Sequence, residues 1–421
     1  MNGDLAGRSS KEPLLLHRLL LLVSLLGALG FLRYYHDLYF PEIAQGCTLV
    51  LFVWLASSTK TRKQGFFIVF LPAYSIALLV ILYASVFSFR TGAPVLPSIL
   101  AQRTYGFFLL APVIYLLHLR GWRLADFERI FVCAAVLTII GYFISYLTID
   151  RESWALSGDI YKTTWVTYDE TRGYRLKAPL FVLVFGVLYF GRRIPGARNL
   201  LSLGLMSALT ALSIALLISN FPRSTVICTI TALIIYKVFL SSPRYAKLAL
   251  VLFPLLAMFG VFTLAYESDT ASAAFGSDPS YTERVETAEK AWTFFQEHPF
   301  FGLGQASYYS LSFQDVMGNA FEPSDIGLLG VAFQYGLLGL SLYIFFSFWI
   351  SITLLRLLWV CRDTTEQRQV AYVWTLSIIS LAILIASPLQ AKYIYEEGIG
   401  FGAFSLGLLL AYKYGLPRRF L

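Results

Sequence analysis

Residues 266–325, YESDTASAAFGSDPSYTERVETAEKAWTFFQEHPFFGLGQASYYSLSFQDVMGNAFEPSD, hold no apolar run of membrane length, although a crossing needs only about twenty residues. Most of the remaining chain consists of such runs. A long polar stretch inside an oily sequence marks a loop outside the bilayer. A membrane protein that keeps such a loop on one face is expected to do its binding or chemistry there.

Composition agrees with this class. Of 421 residues, 57% are hydrophobic and 14% charged, against roughly 25% charged in soluble domains. The formal charge is +8. In a soluble chain that would suggest nucleic acid, but here the basic residues lie between apolar runs, where they orient the protein in the bilayer. Cys47, Cys133 and Cys228 fall in apolar runs and Cys361 at a basic helix end. No pair has metal-ligand spacing, so neither a disulfide framework nor a metal site is expected, and no cofactor motif is found. The apolar run after the polar residues 1–13 carries no cleavage pattern and is taken as a retained span.

The expected fold is all-α: a polytopic membrane protein, residues 1–421 forming one integral membrane domain of about twelve transmembrane helices. Spans are placed at roughly 13–32, 43–58, 65–87, 104–119, 128–148, 177–191, 199–219, 223–241, 246–266, 327–359, 369–389 and 398–415. The tenth is too long for one straight crossing, and Gly327, Gly330, Gly336 and Gly339 mark its first part as a broken or re-entrant segment. Lys60, Arg62 and Lys63, then Arg120, Arg123 and Arg129, then Arg192 and Arg193, Arg244 and Lys247, Arg356 and Arg362, and finally Arg418 and Arg419 fall in every second connection. That alternation puts both termini in the cytoplasm and the loop 267–325, between helices nine and ten, outside.

Inside this loop Ser280-x-x-Glu283, after Pro279, has the form of a capping box. Val285, Ala288, Trp292 and Phe295 follow at helical spacing, so an amphipathic helix is expected. It should stop near His298-Pro299, with a turn at Gly302-Leu303-Gly304.

The outward side also holds Arg90, Arg103, Arg172, Arg175, Lys177, Arg223, Arg284 and Lys392. Arg223, at the mouth of the eighth span, needs an anionic partner if buried, and a diphosphate suits the guanidinium fork. For any single arginine, snorkelling to the interface or pairing with a loop carboxylate explains the position as well. Asp325 suits a helix cap, and also a carboxylate base at the membrane surface. His298 suits a helix end and, standing alone, not a metal. No ATP-binding or dinucleotide-binding motif is present.

Tyr281-x-Glu283-Arg284, Ala291-Trp292, Glu297-His298-Pro299-Phe300-Phe301-Gly302-Leu303-Gly304, and Ser324-Asp325 through Tyr335-Gly336-Leu337-Leu338-Gly339 together resemble the O-antigen ligase and O-antigen polymerase superfamily. Arg223-Ser224 resembles its Ser-Arg motif. The resemblance implies a metal-independent, inverting glycosyltransferase without a cofactor, in a bacterial inner membrane. Its donor would be an undecaprenyl-diphosphate-linked glycan. Asp325, Arg223 and Arg284 would be catalytic, with Arg172, Arg175, Tyr281 and His298 binding substrate. A flippase and a chain-length regulator would be partners, and nucleic acid would not. Asp325 stands where ligases usually have His, which favours a polymerase over transfer to lipid A core. A transporter or flippase of lipid-linked sugars is the rival from another class; its charges should lie mid-membrane, whereas these gather at outward ends.

Overall fold

A computed structural model describes residues 14–35, 38–58, 63–157, 165–169, 173–197, 199–220, 223–241, 279–305, 316–318, 323–364, 367–387 and 396–415. Among them the chain is almost wholly helical. The helices are α1 (Leu14–Ala28), α2 (Phe40–Ser58), α3 (Lys63–Thr91), α4 (Val95–Ala101), α5 (Leu110–Leu119), α6 (Leu124–Thr148), α7 (Arg151–Leu156), α8 (Leu180–Arg193), α9 (Leu200–Asn220), α10 (Arg223–Ser241), α11 (Pro279–Glu297), α12 (Gly327–Thr364), α13 (Gln367–Ala386) and α14 (Glu396–Gly415). Six are long and apolar enough to cross a bilayer, and α4 with the helical stretch 103–119, bent by 53°, makes a broken seventh. The expected runs coincide with helices except 246–266, which lies outside the described residues. Several of those helices, α1 among them at 15 residues, are shorter than a full crossing.

The all-α expectation needs one addition. Val166–Asp169 (β1) and Gly173–Leu176 (β2) pair antiparallel, with Thr167 opposite Arg175 and Tyr168 opposite Tyr174. The two tyrosine rings lie 4.9 Å apart across the ladder, a pairing that favours strands. Gly173 takes φ +66°, which admits the chain into β2.

Depth in the bundle is uneven. In α13, 89% of the span is buried, against 17–39% in the other five helices of crossing length. Residues 398–411 of α14 and 110–117 of α5 are buried throughout. These helices form the centre, α14 packing on α5 and α13 on α8, α10 and α12. Near one end of α6 the buried Glu128 accepts a hydrogen bond from Tyr189, whose hydroxyl accepts in turn from Arg193 Nη1 at 2.9 Å. The carboxylate thereby keeps a donor after leaving water.

The helix α12 is broken where the sequence suggests it. Gly336 has φ +62° and ψ −167°, outside helical space and open only to glycine. In an unbroken helix the Phe333 and Gln334 carbonyls would accept from the amides of Leu337 and Leu338. Here the segment following α11 takes their place on both sides of the break. Leu303 N–H donates to the Phe333 carbonyl at 2.8 Å and Gly304 N–H to Gln334 at 2.9 Å, while Leu337 N–H donates to the Pro299 carbonyl at 2.7 Å and Leu338 N–H to Phe300 at 3.4 Å. The backbone groups freed by the kink are thus satisfied by exchange. The exchange brings two backbones so close that a Cβ on Gly336 would fall on the Phe300 carbonyl, and one on Gly302 on the Phe333 carbonyl. Gly302 and Gly336 are therefore structural requirements of this joint, and Gly304 is held as tightly by the backbone of Tyr83 and Phe87 in α3.

Candidate functional site

The joint is tied to the rest of the bundle by a polar cluster. Tyr335 Oη donates to Gln305 Oε1 at 2.6 Å and lies 2.6 Å from Tyr105 Oη. Gln334 Nε2 also donates to Gln305 Oε1. Tyr83 Oη donates to the Tyr335 carbonyl at 2.8 Å, and the Tyr83 carbonyl accepts from Gln305 N–H at 3.2 Å. These bonds fix the half-helix Gly327–Tyr335, and with it the single turn of 3-10 helix, Pro323–Ile326, that carries Asp325.

Helix α11 packs on that turn and on α12. Its buried stripe is Thr287 and Ala291, with Ala288 and Phe294 half-buried beside them. This is rotated from the expected stripe of Val285, Ala288, Trp292 and Phe295: small Thr287 and Ala291 let the helices approach, and the large rings of Trp292 and Phe295 sit at the flank, 5.7 Å apart. Ala291, Leu303, Ile326 and Phe333 share one small core with Phe87 and Ala93 from the end of α3. The neighbour of Asp325 in sequence, Ile326, thus packs among residues one turn from Arg90.

Arg90 lies over the Phe294 ring at 5.7 Å, and His298 meets the same ring edge-on at 4.7 Å. Burial, and then the positive charge of Arg90, hold the His298 imidazole below its ordinary pKa of 6.5, with Glu297 pulling the other way. His298 therefore stands neutral near pH 7. Its amide donates to the Phe294 carbonyl at 3.0 Å, continuing the last turn of α11 as the sequence suggests, and Pro299 ends it.

A second basic group lies at the junction of α9 and α10. Arg175 Nη1 donates to the carbonyl of Asn220, the last residue of α9, at 3.1 Å. A guanidinium suits a helix C-terminus. Asn220 Nδ2 donates to Tyr142 Oη at 2.6 Å, and Tyr142 donates to the Leu176 carbonyl at 3.1 Å. Beside them Arg33, 7% exposed, donates to the Lys177 carbonyl and stacks on Trp165 at 4.8 Å. Sequence reasoning passed over Arg33; a cation directly followed by two tyrosines was the available signal. Arg223 begins α10 three residues after Asn220. The amides of that first turn have no helical acceptors and carry positive partial charge, so the junction favours an anion.

The expected site residues fall into two groups. Arg175 and the first turn of α10 form one. Arg284, exposed on α11, His298 just past its end, and the turn of Asp325 form the other. Arg284 and His298 are fourteen residues apart along α11, about 21 Å at helical rise, so they do not grip one small group together. The side chains of Arg223, Tyr281 and Asp325, and all of Arg172 and Lys392, lie outside what is described. Asp325 precedes the first residue of α12 by two positions, with Gly327 at φ +54°. Of the other cations expected on the outward side, Arg103 pairs with Glu42 at 3.0 Å. Among the described residues no three His, Cys, Asp or Glu side chains gather as a metal site.

Comparison with known families bears on this region. Residues 208–344 match the model of the O-antigen ligase family. The match covers about a third of the chain and runs from α9 to just past the joint in α12. It takes in Arg223, Arg284, His298, Asp325, Gly302, Gly304 and Gly336, and it supports the resemblance read from the motifs. Members of that family are glycosyltransferase-like enzymes, and lipid-linked glycans are the substrates the family implies. No curated protein matches the chain.

Proposed function

We propose that this chain is a glycosyltransferase of the O-antigen polymerase type, joining undecaprenyl-diphosphate-linked repeat units at the periplasmic face of a bacterial inner membrane. The observation that carries the reading is the match over 208–344, which contains the proposed base and both proposed catalytic arginines. In the reaction an acceptor hydroxyl oxygen bonds to the anomeric carbon of the donor. The bond from that carbon to the diphosphate oxygen breaks with inversion, and the hydroxyl proton passes to Asp325. Arg223, with Arg175 and the amides opening α10, offsets the charge that grows on the leaving diphosphate. Arg284 supplies a second cation on the outward helix. Arginines take the part that a metal ion plays elsewhere. A flippase that delivers substrate and a regulator of chain length are the partners such a reaction calls for.

Transfer to lipid A core is the second reading, favoured by the printed description of the family as a ligase. Asp325, where ligases usually carry His, is the reason to place the polymerase first. Purified protein supplied with lipid-linked repeat units and lipid A core separates the readings. A ladder of lengthened lipid-linked glycan is expected, and glycan on lipid A core would reverse the order. Neither product, with movement of the lipid-linked glycan across a vesicle membrane, would establish the transporter instead.

A further inference from the structure

Arg90 is the outward cation whose surroundings are least explained by structure. Its guanidinium sits at the end of α3, in the last turn of a helix of crossing length, Tyr74–Thr91. Nη1 is buried and has no hydrogen-bond partner among the described residues. Arg103 has Glu42 and Arg175 has the Asn220 carbonyl, whereas Arg90 has a ring face, which attracts a cation but offers no lone pair to its N–H groups. A buried guanidinium nitrogen left in this state is costly, and a ligand oxygen would relieve it. His298, set edge-on to the same ring and close enough to feel the charge of Arg90, has a neutral imidazole that can donate a hydrogen bond without an ionic partner.

We propose that Arg90 and His298 form an oxyanion subsite that receives a phosphate of the lipid-linked substrate beside the turn carrying Asp325. The depth of Arg90 selects phosphate over a sugar carboxylate, because the end of a crossing helix lies at the level of lipid phosphates. The guanidinium fork fits two phosphate oxygens. Phe294 orders the pair: it holds Arg90 on its face and His298 at its edge, and packs on Phe333 at 5.2 Å, in the half-helix that the joint immobilises. The subsite is therefore registered to the proposed base through contiguous packing. This inference rests on the glycosyltransferase reading for the identity of the ligand and on geometry alone for the site.

His298 supplies a local readout. Diethyl pyrocarbonate modifies neutral imidazole, and mass spectrometry of the peptide containing His298 follows the rate at that residue in the full-length protein in detergent. Farnesyl diphosphate, a short-tailed polyprenyl diphosphate, is expected to slow the modification at least fivefold in the wild type. Arg90→Gln should abolish that protection while keeping helicity and melting temperature, and Arg90→Lys should restore little of it. Nanodiscs of phosphatidylglycerol should not protect. If farnesyl diphosphate fails to protect wild-type His298, the subsite does not exist, whatever the variants do. Equal protection in Arg90→Gln removes Arg90 from it, and protection by phosphatidylglycerol alone makes Arg90 an ordinary headgroup anchor. The transfer reaction is tested separately, by product formation in Arg223 and Asp325 variants, so either idea can fail while the other stands.

Discussion

Replacing Gly336 by alanine tests the exchanged hydrogen bonds of the joint. At φ +62° and ψ −167° a Cβ is strained by about 1–3 kcal/mol, and it also falls on the Phe300 carbonyl. The chain escapes most readily by straightening. The Leu337 and Leu338 amides would then return to the Phe333 and Gln334 carbonyls, so α12 itself loses nothing. The segment 299–304 would lose all four of its bonds to α12, at about 0.5–1.5 kcal/mol each. Because some are remade with water, the segment should be released at a net cost of about 2–4 kcal/mol, within a total stability of about 5–15 kcal/mol. The protein is expected to stay folded with its segment undocked. Cleavage by chymotrypsin at the exposed Phe300 and Phe301 should accelerate by about 30- to 1000-fold, and transfer should fall in parallel. Gly204→Ala, where a Cβ meets nothing, is the control and should be silent or slightly stabilising. Wild-type cleavage and full transfer in Gly336→Ala would refute the argument that the exchange holds this segment.

Asp325→Asn removes the proton acceptor but little volume; transfer should fall by about 10² or more with the melting temperature unchanged, and an active Asn variant would exclude Asp325 as base. Arg223→Ala and Arg284→Ala should each lose about 2–4 kcal/mol of transition-state stabilisation in kcat/KM, with Lys restoring little; near-normal product length in both would move the diphosphate site elsewhere. The His298 imidazole is held below 6.5, so the unfolded chain binds this proton more readily than the folded one. Stability from the neutral imidazole is thus complete above pH 6.5 and declines as pH falls through the lower folded value. Unfolding curves of wild type and His298→Gln should diverge in that window, and parallel curves would show that His298 titrates normally.

The helices were legible because bilayer-length runs are encoded locally, and the interruption near Gly336 because four glycines lie within thirteen residues. The reason for Gly302 and Gly304 is not legible, since Gly302 is constrained by the backbone of Phe333–Gly336 and Gly304 by that of Tyr83 and Phe87 in α3, both brought against them only by folding. Arg90 looked like any cation at a helix end until Phe294 and His298 arrived from the far side of the sequence. The hairpin leaves only a weak signal in Thr167, Tyr168 and Tyr174, which are good strand formers but lie in short runs. The stripe on α11 is not legible from its large apolar residues, because close packing there is set by small Thr287 and Ala291.

Two of the three central helices leave the ribosome last. α13 and α14 follow every other described helix, yet they occupy the centre, while α3 and α9, made much earlier, show most of their surface outward. Of the buried centre only α5 is made early, so it and the other early helices must wait for their partners, held by pairwise contacts such as α1 on α2 and α8 on α9. Only the arrival of α13 and α14 completes the centre. A fragment ending before Gln367 should for that reason be a target for membrane proteases rather than a partly active enzyme, and mutations that slow insertion of α13 should lower abundance more than they lower turnover.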